Sequence, residues 1–282
     1  MKERTITSVV LLAIALVLVI FSGYIVYPIG LSVLAVVSVF EVARVMGAEK
    51  KLAMTIPAYL FAAGFPIAAF FINEDNVIYL LLGFAACMLV YLIWLMGVSI
   101  FSKGKDPFSH ISEVFCSVLY VVISVTSLSI LRYLDRETGV FSVVLVFVIA
   151  WVCDTSAFAV GVLFGKHKLI EDVSPKKTIE GSRGGIVFCV VSFVVFGIIM
   201  DVFFDRSANI LFLAISAVAV SVVSQIGDLI MSVIKRHYGI KDYGKLFPGQ
   251  GGMLDRFDSI LAVALVMSAI CMLAGIMNIQ LL

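Results

Sequence analysis

Apolar stretches long enough to cross a lipid bilayer follow one another along almost the whole chain. A transmembrane helix needs about 20 predominantly apolar residues, because each backbone polar group must find its partner within the helix where water is absent. The chain is 62% hydrophobic and 14% charged, whereas soluble domains are about 45–50% apolar and about 25% charged. The sequence therefore predicts an all-α, polytopic integral membrane protein.

About nine transmembrane helices are expected. Their predicted ranges are 6–22, 24–44, 52–72, 77–98, 110–131, 140–165, 184–204, 208–234 and 257–279. Because no internal repeat and no long polar linker interrupts the pattern, we predict a single transmembrane domain over residues 1–282. Within it, residues 1–139 are interpreted as a helical scaffold and residues 140–282 as the catalytic half, since the unusual polar residues concentrate there.

The basic residues predict how these helices are oriented. With nine helices, the N-terminus shares one side of the membrane with the loops near 45–51, 99–109, 166–183 and 235–256. Of the 20 Lys and Arg residues, all except Arg132, Arg136 and Arg206 lie on that side or at its flanks. The positive-inside rule then places the N-terminus and the two largest loops in the cytoplasm. We expect an active site on the cytoplasmic face of the membrane, which in a bacterium is the inner membrane.

The polar stretch from Asp228 to Ser259 connects the last two apolar segments. Asp255 and Asp258 are three residues apart, so they share one face if a helix begins there. Converging carboxylates repel one another unless cations lie between them, and such oxygen ligands suit Mg²⁺, which usually takes one or two carboxylates plus substrate phosphates. Five basic residues surround the aspartates: Lys235, Arg236, Lys241, Lys245 and Arg256. The pattern indicates phosphoryl or nucleotidyl transfer, and the alternative is a helix hairpin with snorkelling charges at its ends.

A second polar stretch lies upstream. Asp154 interrupts an apolar run, and because an ionised carboxylate there costs about 2.5–3.5 kcal/mol on insertion scales, it should face a polar cavity or make a structural hydrogen bond. The run Ser174-Pro175-Lys176-Lys177-Thr178 places two ammonium groups after a proline-fixed turn, which could bind phosphate or serve only as topogenic charge. The glycine-rich run 181–185 could approach an anion at a helix start, and Gly161 and Gly165 fit close helix packing.

Several enzyme classes lack their motifs in this sequence. There is no HExxH, GxSxG, P-loop or GxGxxG pattern, so zinc protease, serine hydrolase and P-loop ATPase functions have no support. The five cysteines lie in apolar stretches without CxxC spacing, and the three histidines are isolated from one another. We expect the cysteines to be packing residues and find no support for a disulfide framework or a zinc site.

The C-terminal polar stretch resembles the signature of the phosphatidate cytidylyltransferases, also called CDP-diacylglycerol synthases. The matching groups are Ser232-x-x-Lys235-Arg236, Lys241-Asp242 and Gly251-Gly252-x-x-Asp255-Arg256-x-Asp258. Asp154-Thr155, Gly165-Lys166 and the run 174–181 resemble a second block of the same family, so the resemblance covers the C-terminal half. One departure is Gln250, where the family usually has His. A neutral amide can hydrogen-bond a phosphate but cannot shuttle a proton.

The resemblance implies transfer of CMP from CTP to phosphatidic acid, giving CDP-diacylglycerol and pyrophosphate in phospholipid biosynthesis. It further implies a homodimer in the lipid bilayer, no nucleic-acid partner, and Mg²⁺, alone or with a second cation, on Asp228, Asp255 and Asp258. The expected catalytic residues are these three aspartates with Lys235 and Arg236. The expected substrate-binding residues are Ser174, Lys176, Lys177, Thr178, Lys241, Lys245, Gln250, Gly251, Gly252 and Arg256.

Other functions remain as alternatives. A CTP-dependent polyprenol kinase or another CTP-dependent lipid nucleotidyltransferase shares the nucleotide chemistry and differs in the lipid substrate. A CDP-alcohol phosphotransferase is disfavoured because its DGxxAR…GxxxD…D spacing is absent. An ion-coupled transporter could use Asp154 and Asp228 inside the membrane, but the lack of repeats and the clustering of charge on one side argue against it.

Overall fold

The computed structural model describes residues 2–103, 106–204, 206, 208–277 and 279, without the side chains of residues 2–6 and 8. Within these residues the chain forms nine α-helices and two short strands. They are α1 Lys2–Ile20, α2 Val26–Val45, α3 Leu52–Ala68, α4 Val77–Phe101, α5 Phe108–Tyr133, α6 Gly139–Phe164, β1 Lys168–Ile170, β2 Ser174–Thr178, α7 Ile179–Phe204, α8 Ile210–His237 and α9 Leu254–Ile276. A 3₁₀ turn, Ala69–Phe71, extends α3.

The predicted all-α, membrane-spanning architecture is confirmed over this part of the chain. Helices α2 to α9, with α3 continued through its 3₁₀ turn, are long and apolar enough to cross a membrane. The apolar part of α1, Val9–Ile20, is shorter. The orientation of the helices in the membrane stays a prediction. Three of the basic residues on which it rests lie outside the described part of the structure, either wholly (Lys105) or in their side chains (Lys2 and Arg4).

Local sequence explains several helix ends. Gly47 follows α2 with φ +69° and Gly239 follows α8 with φ +64°, the left-handed conformation that glycine adopts readily just past a helix C-terminus. Asn209 caps the start of α8, because its side-chain oxygen accepts a hydrogen bond from the backbone N–H of Phe212 at 3.0 Å. These signals place the ends of α2 and α8 and the start of α8 close to the predicted boundaries.

The chain forms two compact units, and the first contains the residues up to Arg136 together with Lys241–Arg256. Its core lies along α2 and α5, where Ala35, Val39, Val121 and Val125 are fully buried. The ring of Tyr27 meets that of Tyr133 edge-on, with 6.2 Å between the ring centroids. Apolar side chains from successive turns of both helices therefore form one continuous packed seam.

The second unit contains Glu137–Ile240 and the chain from Phe257 onward. Helices α6 and α7 approach each other at backbone distance where Gly161 faces Gly181. A Cβ atom on Gly181 would lie 2.5 Å from the carbonyl oxygen of Ala157 and 3.1 Å from the Cα of Gly161. The predicted close packing at Gly161 is thus confirmed, since small residues are what allow membrane helices to come this close.

Two local predictions in this unit are wrong. Helix α7 begins at Ile179 rather than 184, so the glycine-rich run 181–185 lies within its first two turns and packs against α6. The run is at a helix start, as expected, and its approach to an anion stays a prediction. Pro175 does not fix a turn. It lies within β2, which pairs antiparallel with β1 in the register Lys168↔Thr178 and Ile170↔Ser174, and a two-stranded sheet tolerates proline because each strand has an unpaired edge.

The boundary between the units near residue 136 lies close to the predicted division at 139/140. Lys241–Arg256, however, belongs with the first unit rather than with the rest of the predicted catalytic half. The expectation of one transmembrane domain over residues 1–282 stays a prediction.

Candidate active site

Three aspartates from three different helices of the second unit lie near one another. Asp154 comes from α6, Asp228 from α8 and Asp258 from α9, and each carboxylate repels the other two electrostatically. Asp154 is held from α9, because the Ser259 hydroxyl donates a hydrogen bond to its Oδ2 at 3.1 Å. Negative charge accumulated in this way inside an apolar bundle needs a compensating cation.

Two lysines supply part of that compensation. Lys177 Nζ lies 2.6 Å from Asp228 Oδ2, and both side chains are only about a quarter exposed (26% and 28%). The same ammonium group attracts Asp154, and Lys235, near the C-terminal end of α8, attracts Asp258. An ion pair in this half-buried setting is screened less than a surface pair and holds its geometry better.

The β1–β2 hairpin brings Lys177 to the aspartates, and Thr178 and Glu180 attach the hairpin to α7. The Thr178 hydroxyl oxygen accepts a hydrogen bond from the Gly181 N–H at 3.1 Å. The Glu180 carboxylate accepts hydrogen bonds from the backbone N–H groups of Lys166 and His167 at 3.1 and 3.2 Å, and its other oxygen lies 2.7 Å from His167 Nδ1. These contacts fix both ends of the hairpin relative to the start of α7.

A cavity of about 480 Å³ opens between α6, the hairpin, α7 and α8. Asp154 and Asp228 lie at its acidic end. The rest of its polar lining consists of Lys166, Lys168, Lys176, Lys177, Thr178, Ser182 and Gln225, and its apolar lining includes Ala157, Phe158, Val162 and Leu169. This size is typical of small-molecule sites, and the four ammonium groups favour an anionic ligand with an apolar part.

The first unit holds the remaining part of the polar C-terminal stretch. The buried Asp255, 6% exposed, accepts two hydrogen bonds through Oδ2, from the backbone N–H of Tyr243 at 2.7 Å and from that of Gly252 at 2.9 Å. Arg44 of α2 donates to the Tyr243 carbonyl oxygen at 2.6 Å. The segment Lys241–Arg256 is therefore held in shape by its own carboxylate and by a neighbouring helix.

Comparisons with known proteins identify the family. The sequence model of the cytidylyltransferase family matches residues 2–274. The chain belongs to the cytidylyltransferase family. The match extends through the N-terminal half, where the sequence itself suggested only a scaffold. A protein from Staphylococcus haemolyticus named phosphatidate cytidylyltransferase is 32% identical over 272 residues, which are 93% of this chain and 96% of the relative.

Further relatives carry the same name. The phosphatidate cytidylyltransferase of Staphylococcus aureus (strain COL) is 32% identical over 265 residues, covering 93% of this cytidylyltransferase and 96% of the relative. That of Staphylococcus epidermidis (strain RP62A) is 41% identical over 162 residues, covering 57% and 59%. Together with the apolar helices, the relatives indicate that this cytidylyltransferase is an integral membrane protein in contact with a lipid bilayer.

In the second unit of the cytidylyltransferase, the predicted residues Asp228, Asp258, Lys177 and Lys235 come together, with Asp154 as a further member. Lys176 and Thr178 line the adjoining cavity, whereas Ser174 is not among the described residues that line it. Arg236 is exposed at the end of α8, and its Nη1 donates to the Ile240 carbonyl oxygen at 3.3 Å.

In the first unit, Lys241, Lys245 and Arg256 are exposed, and their predicted role in substrate binding stays a prediction. The backbone N–H groups of Gln250 and Gly251 both donate to the Phe247 carbonyl oxygen, at 2.9 and 3.2 Å. Gly251 has φ +92° and packs against the Asp255 carboxylate. The contacts of Gly251 and Gly252 are thus with the protein's own acids, and their predicted substrate-binding role stays a prediction.

Several residues of these sites had no predicted role. Asp154 was expected to face a polar cavity or to make a structural hydrogen bond, and both are observed, but it had no expected role in nucleotidyl transfer. Lys166, Lys168, Ser182 and Gln225 of the cavity lining were not among the expected site residues. Glu41 was missed, although it is an acid within a predicted membrane helix, the same signal that drew attention to Asp154. Its two oxygens accept hydrogen bonds from the N–H groups of Met253 and Leu254.

The donor chemistry of the second unit fits a hard divalent cation. In the described part of the chain, no three His, Cys, Asp or Glu side chains are arranged as a complete metal site. Mg²⁺ does not require one, because it commonly binds one or two carboxylates and completes its shell with water and phosphate oxygens. Asp228 and Asp258 supply such a pair. Asp255 Oδ2 is already engaged by two N–H groups, and its role as a metal ligand stays a prediction.

Proposed function

We propose that this cytidylyltransferase transfers CMP from CTP to phosphatidic acid, producing CDP-diacylglycerol and pyrophosphate. The observation that carries the proposal is the cluster of Asp154, Asp228 and Asp258, paired with Lys177, beside a cavity lined by lysines. The names of the relatives and the residue pattern of the C-terminal half support the same reaction. It belongs to phospholipid biosynthesis, because its product is an activated lipid.

The reaction joins two anions, and the basic residues of the chain serve that step. A phosphate oxygen of phosphatidic acid forms a bond to the α-phosphorus of CTP, the bond between that phosphorus and the α–β bridging oxygen breaks, and pyrophosphate leaves. The lipid phosphate is already anionic at neutral pH, so no strong general base is required. Lys166, Lys168, Lys176 and Lys177 offset the repulsion between the substrates and stabilise the leaving group.

The cofactor is proposed to be Mg²⁺, held by Asp228 and Asp258. When bound, the cation neutralises phosphate charge and orients the phosphate groups. Lys177 keeps the Asp228 carboxylate in place, and Ser259 does the same for Asp154. The apolar part of the cavity lining suits the acyl-bearing substrate, which approaches from the bilayer, while CTP arrives from water.

The proposal includes the cytoplasmic face of the active site and a homodimeric state. The distribution of lysine and arginine over the loops supports a cytoplasmic active site through the positive-inside rule. The use of CTP, a cytoplasmic nucleotide, fits the same face. The homodimer rests on the family resemblance alone. Neither is required for the chemistry of the aspartate cluster.

The test uses purified full-length protein in detergent micelles containing phosphatidic acid, with CTP and Mg²⁺. We expect pyrophosphate to be released together with CDP-diacylglycerol, and mass spectrometry identifies the lipid product. Asp228→Asn and Asp258→Asn should each lower kcat by about 100-fold or more, because removing a metal ligand forfeits several kcal/mol of charge stabilisation. The control is Asp201→Asn, the same change near the far end of α7, and it should leave kcat within about twofold.

Three results would overturn the proposal. Full activity in both cluster variants would remove the metal assignment. Product from a polyprenol but none from phosphatidic acid would replace the reaction with a CTP-dependent polyprenol kinase. Ion flux in liposomes without any nucleotide turnover would favour a transporter.

A further inference from the structure

We infer that Glu41 of α2 is a positioning residue that holds the segment Lys241–Arg256 in its working shape. This inference rests on the proposed function, since that segment carries several of the expected substrate-binding residues. Glu41 lies in the half of the chain that the sequence indicates to be scaffold, 212 positions from its nearest partner in this segment. Its effect is exerted through the backbone that it binds.

The first observation is the pair of hydrogen bonds that Glu41 accepts. Its Oε1 takes the N–H of Met253 and its Oε2 takes the N–H of Leu254, each at 2.9 Å. These two N–H groups stand at the start of α9, where they have no partner within the helix. A carboxylate also interacts favourably with the positive end of the helix dipole. Glu41 therefore acts as a cap for α9 supplied by a distant helix.

The second observation is the absence of spare room around this carboxylate. Glu41 is 3% exposed. A Cβ atom on Gly252 would lie 2.6 Å from the carboxylate carbon of Glu41, and one on Gly244 would lie 3.1 Å from it. Both glycines must stay without side chains for the acid to reach the N–H groups, so this contact explains why glycine is needed at 252.

The third observation is that α2 holds the same segment at a second point. Arg44, three residues after Glu41 and on the same helix face, donates to the Tyr243 carbonyl oxygen at 2.6 Å. Asp255 then joins Tyr243 to Gly252 through its Oδ2. The backbone between residues 243 and 254 is thus fixed at both ends, while Lys245 remains exposed and able to meet a ligand.

Energetics argue that this acid has a role beyond packing. A carboxylate buried among apolar helices is costly unless its oxygens are satisfied, and here both oxygens are satisfied by the 241–256 segment. An apolar residue would fill α2 without that cost. The hydrogen bonds of Glu41 therefore fix one conformation of the segment Lys241–Arg256, which an apolar side chain filling the same space could not do.

The experiment compares Glu41→Ala and Glu41→Gln with wild type by hydrogen exchange and by kinetics. The matched control is Ser38→Ala, on the same helix, where a fully buried hydroxyl has no hydrogen-bond partner among the residues that the structure describes. We expect exchange of the Met253 and Leu254 amides to accelerate about 10- to 100-fold in Glu41→Ala, as the loss of hydrogen bonds to a charged group predicts. The side-chain amide introduced by Glu41→Gln keeps one oxygen acceptor, so this variant should give an intermediate acceleration. Peptides from residues 114–131 should be unchanged in both variants.

The kinetic arm is run well below each variant's melting temperature. Glu41→Ala should lower kcat/KM for CTP about 10-fold or more, Glu41→Gln less, and Ser38→Ala by under about twofold. Unchanged exchange at residues 253–254, or equal acceleration throughout the first unit, would overturn the inference. Full activity despite local acceleration would also overturn it while leaving the proposed function intact. An inactive wild type would end the proposed function, and the exchange arm would still decide whether Glu41 holds this segment.

Discussion

Asp255 and Asp258 lie three residues apart in α9 and differ in what they bind. The Oδ2 of Asp255 accepts two backbone N–H groups of its own segment, whereas Asp258 faces Asp154, Asp228 and Lys235. The same side chain therefore shapes a loop at one position and contributes to a charged cluster at the other. The different neighbours of Asp255 and Asp258 in the structure distinguish the two roles, whereas their spacing along the sequence did not.

A prediction at the residue scale follows for Asp255. Asp255→Ala leaves two buried N–H groups unsatisfied, each costing about 1–3 kcal/mol, so its melting temperature should fall clearly below that of wild type. Asp255→Asn retains an oxygen acceptor and should melt much closer to wild type. Thermal unfolding in detergent measures both variants.

The activity of the same variants tests the metal-ligand prediction. If Asp255 also binds Mg²⁺, Asp255→Asn should abolish pyrophosphate release although the protein stays folded. Activity that instead follows the melting temperature, high for Asn and low for Ala, would assign Asp255 to loop shape alone. Equal melting temperatures for the two variants would contradict the hydrogen-bonding role.

At the scale of elements, the contact between α6 and α7 positions the hairpin that carries Lys177. Gly161 and Gly181 let the two backbones touch, and the Thr178 hydroxyl, which accepts from the Gly181 N–H, lies at the same crossing. The glycine-rich run 181–185 thus serves helix packing. Because β2 ends at Thr178, directly before α7 begins at Ile179, this packing also positions the hairpin.

Gly181→Ala should destabilise this crossing. The added methyl group would lie 2.5 Å from the carbonyl oxygen of Ala157, and overpacking of this kind costs about 1–3 kcal/mol. The control is Gly97→Ala in α4, where a Cβ would meet no described atom of the chain within 4 Å; it should be neutral or stabilising by about 0.5–1 kcal/mol. Melting temperatures in detergent check the pair, and equal shifts in both variants would contradict backbone contact at the crossing.

On the scale of the whole molecule, charge along the chain predicts the orientation in the membrane. Loops that carry Lys and Arg alternate with loops that carry almost none, and the hairpin with its lysines falls on the basic side. A positively charged loop is retained in the cytoplasm during insertion. The proposed use of CTP needs the same orientation.

Labelling with a membrane-impermeant maleimide tests this orientation. Asp172→Cys, between β1 and β2, should react in inside-out vesicles and remain unlabelled in intact cells. Glu74→Cys, between α3 and α4, should show the reverse, and wild type gives the background from the native cysteines. Both positions are exposed. Reaction of the thiol introduced at position 172 from outside intact cells would invert the predicted topology and contradict a cytoplasmic site.

The sequence by itself determined the helices and the family. Hydropathy is a local property, so eight apolar spans and most of their ends could be located within a few residues, and the aspartates with their neighbouring lysines indicated nucleotidyl-transfer chemistry. The start of α7 was misplaced because glycines weaken the helix signal, and only the contact with α6 shows why they are tolerated there.

Tertiary structure alone decided which acids meet. The grouping of Asp154, Asp228 and Asp258, the pairing of Lys177 with Asp228, and the capping of α9 by Glu41 all join residues far apart in the chain. Such contacts depend on how helices pack and on which face each side chain occupies, and neither is encoded in spacing along one segment. A buried charge is stable only where a partner from another element satisfies it, which is why the roles of these acids became visible in the fold.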